Sequence, residues 1–172
     1  MCQVFLGIGG NIGNKQLNFK NGYIAIENNL GKITNKSSVY ETEPWGFESE
    51  ENFWNQVLRI KTDFTPNELL VKIHQIEKQF GRIRENGKYL SREIDIDILF
   101  YNDLILKAKN LTIPHPLIEK RLFVLVPLVE IAPDFVHPVL RKTSRQLFDE
   151  CPDKSFIQKI KIQENHERAT KN

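Results

Sequence analysis

The sequence predicts an α+β sandwich, a mainly antiparallel sheet with helices packed on one face. Three observations lead there. Segments 53–62 and 91–100 alternate apolar and polar residues at a period of two, the pattern of half-buried strands. Segment 65–80 carries a full set of helix signals. The segments run strand, helix, strand, strand, helix, strand, which is the order of a split βαβ unit of the ferredoxin-like type.

The elements follow in order. Residues 3–9 (QVFLGIG) read as a buried first strand, and 9–14 (GGNIGN) as a turn rich in glycine and asparagine. A helix is expected over 15–30, stopped by Gly31. Residues 33–42 read as one strand, with Ser38, Tyr40 and Thr42 on one face. Residues 42–52 (TEPWGFESEEN) form a long polar loop, and long loops in compact domains are often functional. After the strand 53–62, Thr65, Pro66 and Glu68 supply a capping box with proline at the first helical position. Leu69, Ile73, Ile76 and Phe80 then make one apolar stripe, ended by Gly81. The loop RIRENGKYLS (82–91) leads into the strand SREIDIDILF (91–100). A turn at Asn102-Asp103, a short strand 104–106, a helix over 117–131 and a shorter helix over 143–150 complete the domain, set at 1–162. The tail 163–172 is polar and aperiodic, and is expected to be disordered.

Composition narrows the function classes. The chain has 172 residues, enough for one domain with a real core. Its 24 Lys and Arg stand against 22 Asp and Glu, too even a balance to imply a nucleic-acid or membrane partner. Cys2 and Cys151 are far apart and in no metal-type spacing, which suggests a reducing compartment. The start has no basic leader, and the longest apolar run, 122–129, is too short to span a bilayer. A soluble cytoplasmic protein is expected.

The chemistry concentrates in 91–100. Ile94, Ile96 and Ile98 give one apolar face, while Glu93, Asp95 and Asp97 crowd three carboxylates on the other. Residues i and i+2 of a strand point the same way, roughly 6.6 Å apart at Cα. Asp95 and Asp97 can therefore converge on Mg²⁺, which takes one or two carboxylates and fills its shell with phosphate oxygens and water. A solvent-facing acidic sheet face fits the same pattern, and the pairs Glu41/Glu43 and Glu48/Glu50 read as solvated. Arg82, Arg84, Lys88 and Arg92 place cations just before the aspartates. Metal ligands beside a basic loop suit phosphoryl transfer, where catalysis is mostly positioning and charge stabilisation. GGNIGN lacks the lysine and spacing of a P-loop. His115, held between Pro114 and Pro116, and Arg121 suit further phosphate contacts. Phe53 and Asn55 share a strand face, so a flat heterocycle can stack on the ring while the amide reads its edge, with Thr42 at the same end.

In order and spacing, these residues resemble the 6-hydroxymethyl-7,8-dihydropterin pyrophosphokinases of folate biosynthesis. The resemblance is carried by GIGGNIGN, YETEPWG, NFWNQV, Arg92-Glu-Ile-Asp95-Ile-Asp97, IPHP, Arg121-Leu-Phe123 and PLVEIAP, and it runs from about residue 3 to 160. It implies a usually monomeric ferredoxin-like enzyme that moves a diphosphate from ATP to the pterin hydroxymethyl group, releasing AMP. Two Mg²⁺ ions would sit at Asp95 and Asp97. Arg82 and Arg92 would act on the phosphates, with Arg84, His115 and Arg121 also on ATP. Glu77, Ile98 and Thr112 would lie near the nucleotide. Phe53 and Phe123 would sandwich the pterin, with Thr42, Trp45 and Asn55 at its edge. Loops 9–15, 43–52 and 82–92 would close over the substrates. Gly10, His74, Tyr89, Leu90, Asn110 and Pro116 depart from the usual family residues, which bears on nucleotide affinity and on the 82–92 loop. Two other readings fit the strand pattern: a ferredoxin-like RNA-binding module with aromatics on its sheet, and another Mg²⁺-dependent nucleotide transferase with a different acceptor.

Overall fold

The computed structural model describes residues 1–44, 51–81 and 93–162. β1 (Cys2–Gly10) and α1 (Lys15–Asn29) are followed by β2 (Lys32–Lys36), β3 (Val39–Thr42) and β4 (Phe53–Thr62). Then come α2 (Pro66–Gln79), β5 (Asp95–Tyr101), β6 (Leu106–Lys107) and β7 (Thr112–Ile113). After a 3-10 turn at Ile118–Lys120, α3 (Leu122–Ile131), α4 (Ser144–Asp149) and β8 (Ile157–Ile160) follow. The main sheet has the order β5-β1-β4-β3-β8, with β2 also on β4, and its paired strands are antiparallel. The βαββαβ core is the ferredoxin-like arrangement that the element order predicts.

The helices do not keep to one face, as the sequence reading had it. Val4, Leu6 and Ile8 of β1, Leu58 and Ile60 of β4, and Ile96 and Ile98 of β5 pack with Phe19 and Ile26 of α1 and Leu69, Ile73 and Ile76 of α2. The alternate residues Phe5, Val57 and Leu99 pack with Val124, Leu125 and Leu128 of α3 and Leu147 of α4. The sheet is apolar on both faces along part of its length, so a second helical layer is needed to cover it. The near-continuous apolar run of α3 is explained by that placement.

Local chemistry sets the boundaries. The Thr65 side chain accepts from the Glu68 N–H, and the Glu68 carboxylate accepts from the Thr65 N–H, so α2 starts with the capping box expected. Asn14 caps α1 by accepting from the Leu17 N–H. The strand expected over 33–42 is interrupted at Ser37-Ser38. There the Ser37 hydroxyl accepts from the Val57 N–H at 3.0 Å, and the register against β4 slips between β2 and β3. Ser38 and Tyr40 do share a face: the Glu130 carboxylate of α3 accepts from the Ser38 N–H, the Ser38 hydroxyl and the Tyr40 hydroxyl. Burial pushes the Glu130 carboxyl up, but these hydrogen bonds outweigh it and hold the group below the usual carboxylate range.

Three further differences matter. The strand expected over 91–100 begins at Asp95, where its pairing with β1 ends at Gly9; Ile94 stays on the same core side as Ile96 and Ile98, so close to Gly22 of α1 that a Cβ added there would lie 2.7 Å from the Ile94 methyl. Glu93 thus leaves the acidic row and lines a shallow cleft with Asn18, Asn21 and Gln79. The strand expected at 104–106 is β6, displaced to Leu106–Lys107 and paired with β7. The helix expected over 117–131 is split at Arg121. No described helix is long and apolar enough to cross a membrane. The tail 163–172 lies outside the described residues.

Candidate active site

β1 makes the floor of the site. Gly7 and Gly9 sit on the α3 face of the sheet, opposite Asp97 and Asp95 of β5 and Val57 and Asn55 of β4. Two glycines facing two aspartates leave the carboxylates bordering open space. The resulting cavity is lined by Gly7, Gly9, Thr42, Phe53, Asn55, Asp95, Asp97, His115, Arg121 and Phe123. Eight of the side chains selected from the sequence therefore meet in one place, drawn from β3, β4, β5, the 112–121 segment and α3. A larger cleft of about 920 Å³ between α1 and β3 includes Tyr23, Lys36 and Glu130 but neither aspartate. Volume alone does not pick the site; its chemistry does.

A bulge in β5 positions the histidine. Leu6 pairs with Ile98 but Phe5 with Phe100, so Leu99 is the extra residue and both Leu99 and Phe100 face α3. The Leu99 carbonyl accepts from the His115 N–H at 3.0 Å, which fastens the IPHP segment beside Asp97. His115 Nδ1 accepts from the Leu117 N–H at 3.2 Å, so the neutral ring carries its proton on Nε2. Burial, and then the Arg121 charge, push the His115 pKa down to about 4 against the pull of Asp95. At neutral pH the ring is an uncharged donor, suited to a phosphate oxygen.

Arg121 is buried, at 6% exposure, where the chain turns into α3. Its carbonyl starts the helix, and its guanidinium carbon lies 5.5 Å from the centre of the Phe123 ring. The Leu122 N–H, at the start of the helix, donates to Asp153 at 3.0 Å. Asp153 was not selected from the sequence, since nothing in its neighbourhood points to a distant helix end. At the other end of the cavity the Asn55 amide donates to the Thr42 hydroxyl at 2.7 Å. Among the described residues, the Thr42 hydroxyl proton and the second Asn55 amide proton take no partner, which leaves them for a ligand edge.

Glu77, Ile98 and Thr112 do not line this cavity. Glu77 is 2% exposed on α2, and its carboxylate accepts from the Ile96 N–H of β5 at 3.2 Å. Ile98 faces the α1–α2 layer, and Thr112 is in β7. Trp45, Arg82, Arg84 and Arg92 lie outside the described residues, as do Lys88, Tyr89 and Leu90. Glu43, read as solvated, is exposed but lines the cavity beside Thr42. Gly7 and Gly9 were missed because a glycine in a strand shows its use only once its cross-strand partners are known.

Residues 5–133 match the family model of 7,8-dihydro-6-hydroxymethylpterin-pyrophosphokinase (HPPK). The chain belongs to this family. A 2-amino-4-hydroxy-6-hydroxymethyldihydropteridine pyrophosphokinase of Aquifex aeolicus is 43% identical over 94% of the chain and 100% of its own length. A Bacillus subtilis protein of the same name is 38% identical over 74% of the chain and 76% of its own length. The chain also matches a folic acid synthesis protein of Dictyostelium discoideum at 40% identity, spanning 24% of that longer protein. Among solved structures, Plasmodium falciparum HPPK-DHPS superposes with a TM-score of 0.71 at 21% identity, over 86% of this chain and 44% of that one. That likeness bears on the HPPK fold alone.

The two histidines carry a pH dependence. His137 is also held below its ordinary value, by burial against the opposing pull of Glu119. In the unfolded chain both imidazoles take up protons near pH 6.5, whereas in the fold they resist, His115 down to about 4. Stability is therefore fully present above about pH 6.5 and declines as pH falls toward 4. Urea unfolding at pH 7 and pH 5 should show a loss of roughly 1–2 kcal/mol. Equal stability at both would contradict the burial of these rings.

Proposed function

We propose that this chain transfers a diphosphate from ATP to the hydroxymethyl group of 6-hydroxymethyl-7,8-dihydropterin, releasing AMP, in the folate biosynthesis of the cytoplasm, and that it does so as a monomer with Mg²⁺. Beyond family membership, the observation that supports this reading is a single cavity that joins an all-oxygen carboxylate pair to an aromatic and amide pocket.

The donor set fits Mg²⁺. Among the described residues no group of three or more His, Cys, Asp or Glu side chains is placed to hold a metal. Two carboxylates on one strand face, with room beside them for phosphate oxygens and water, match a hard cation that keeps few protein ligands. Asp95 and Asp97 would hold two such ions. When bound, these supply neutralising charge to the polyphosphate.

The rest is positioning by the chain's own groups. Phe53 and Phe123 stack the pterin, and Asn55, Thr42 and Trp45 read its edge, leaving the hydroxymethyl group toward the aspartates. His115 Nε2–H and the Arg121 guanidinium take phosphate oxygens, joined by Arg82, Arg84 and Arg92 from the basic loop. Glu77, Ile98 and Thr112, outside this cavity, would lie near the nucleotide, as the family resemblance implies. The hydroxymethyl oxygen bonds to the β-phosphorus as the bond from that phosphorus to the α–β bridging oxygen breaks. AMP leaves with the bridging oxygen, and the alcohol proton is released. Exclusion of water from the filled cavity keeps it from competing as the acceptor.

ATP labelled separately at the β and γ phosphorus tests the group transferred. Both labels should appear together in the pterin product. Transfer of the γ label alone would make the protein a simple kinase and overturn the reading.

A further inference from the structure

We infer that Gly9 determines acceptor specificity by leaving the space that holds the Asn55 amide in one orientation. The inference rests on the reading of the cavity as a pterin site.

Gly9 pairs with Asn55 on one side and Asp95 on the other. A Cβ added at Gly9 would lie 3.0 Å from Asn55 Oδ1 and 3.4 Å from the Trp54 carbonyl oxygen. The first distance is closer than ordinary carbon–oxygen contact, so the Asn55 oxygen occupies the space that a side chain at position 9 would fill. Gly7 is the internal comparison. It lies on the same face two residues earlier, and the nearest atoms a Cβ there would meet belong to the Leu99 side chain, at an ordinary 3.5 Å.

The amide has nowhere easy to retreat. Asn55 is 8% exposed, and its Nδ2 donates to Thr42 Oγ1 at 2.7 Å. Turning the amide to escape a methyl at position 9 either lengthens that buried hydrogen bond or exchanges the oxygen and nitrogen ends. Either outcome changes what Asn55 offers the cavity. With Gly9 in place, an acceptor oxygen stands over β1 and a donor over β3. That order suits the edge of an amino-pyrimidinone ring, which carries ring N–H and exocyclic amino donors next to a carbonyl acceptor. Gly9 contacts Asn55 rather than the reacting atoms, so it is a positioning residue.

The test is calorimetric binding of 6-hydroxymethylpterin and of its 2-deamino analogue to the full chain, with α,β-methylene-ATP and Mg²⁺ present. Wild type should prefer the 2-amino compound by tenfold or more. Gly9→Ala should reduce that preference to threefold or less while changing the nucleotide Kd by less than twofold. Val71→Ala, on the exposed face of α2 and away from the cavity, should leave the preference ratio as in wild type. In an Asn55→Ala background, Gly9→Ala should have no further effect on pterin binding, which keeps the inference testable if the single variant folds poorly. An unchanged ratio in Gly9→Ala, or an undiminished effect of Gly9→Ala without Asn55, would overturn the inference alone. Wild-type protein that binds neither compound would overturn the site assignment and the inference with it.

Discussion

Asp95→Asn and Asp97→Asn are each expected to lower AMP formation by a factor of about 10²–10³ or more, the usual cost of removing a preorganised electrostatic group. Neither should lower the thermal midpoint. The two side chains share one face of β5 and border the cavity across from Gly9 and Gly7. Like charges so close destabilise the fold when no cation stands between them, by an amount that falls with solvent screening. Removing one should leave stability equal or slightly improved, while the site loses one of its two hard oxygen donors. Activity and thermal melts on the same samples check both halves. Activity within a few fold of wild type would contradict the assignment, and a large loss of stability would assign the carboxylates a structural role.

Arg121→Ala is expected to weaken ATP binding and turnover together, by roughly 30-fold to 5 × 10³-fold, in line with about 2–5 kcal/mol for a buried charged contact. Arg121→Lys should recover only part of this, because an ammonium cannot present the planar fork. The same variant has a readout independent of nucleotide. Arg121 is one of the two causes that push the His115 pKa down to about 4, burial being the larger. Removing the guanidinium should move the His115 titration upward, as followed by NMR of the ring protons. An unmoved titration would contradict the placement of the two side chains in one cavity.

Legibility in the sequence followed the range of the interactions. α2 was readable to the residue at its start because Thr65, Pro66 and Glu68 act within one turn. The isoleucine and aspartate alternation of β5 located the carboxylate pair, since period two is a local property of the chain. Glu93 was misassigned because alternation does not reveal where a strand begins, and here the strand begins where pairing with the distant β1 ends at Gly9. The two-faced sheet was missed for the same reason: Phe5 and Val57 need a second layer, but nothing local says that α3 supplies it. β8 was also missed, being a short outer strand whose pairing with β3 joins distant parts of the chain. The site shows the same division. Its reactive side chains were visible as residue types in order, whereas its floor and supports were not. Gly7, Gly9, the Leu99 bulge and Asp153 act through cross-strand pairing or backbone hydrogen bonds, which composition and spacing do not encode.

The most direct test of the central claim is AMP release from a mixture of this protein, ATP, MgCl₂ and 6-hydroxymethyl-7,8-dihydropterin, with each component omitted in turn. AMP that appears only when all are present is the predicted result. ADP in its place, or AMP formation indifferent to the pterin or to Mg²⁺, would contradict it.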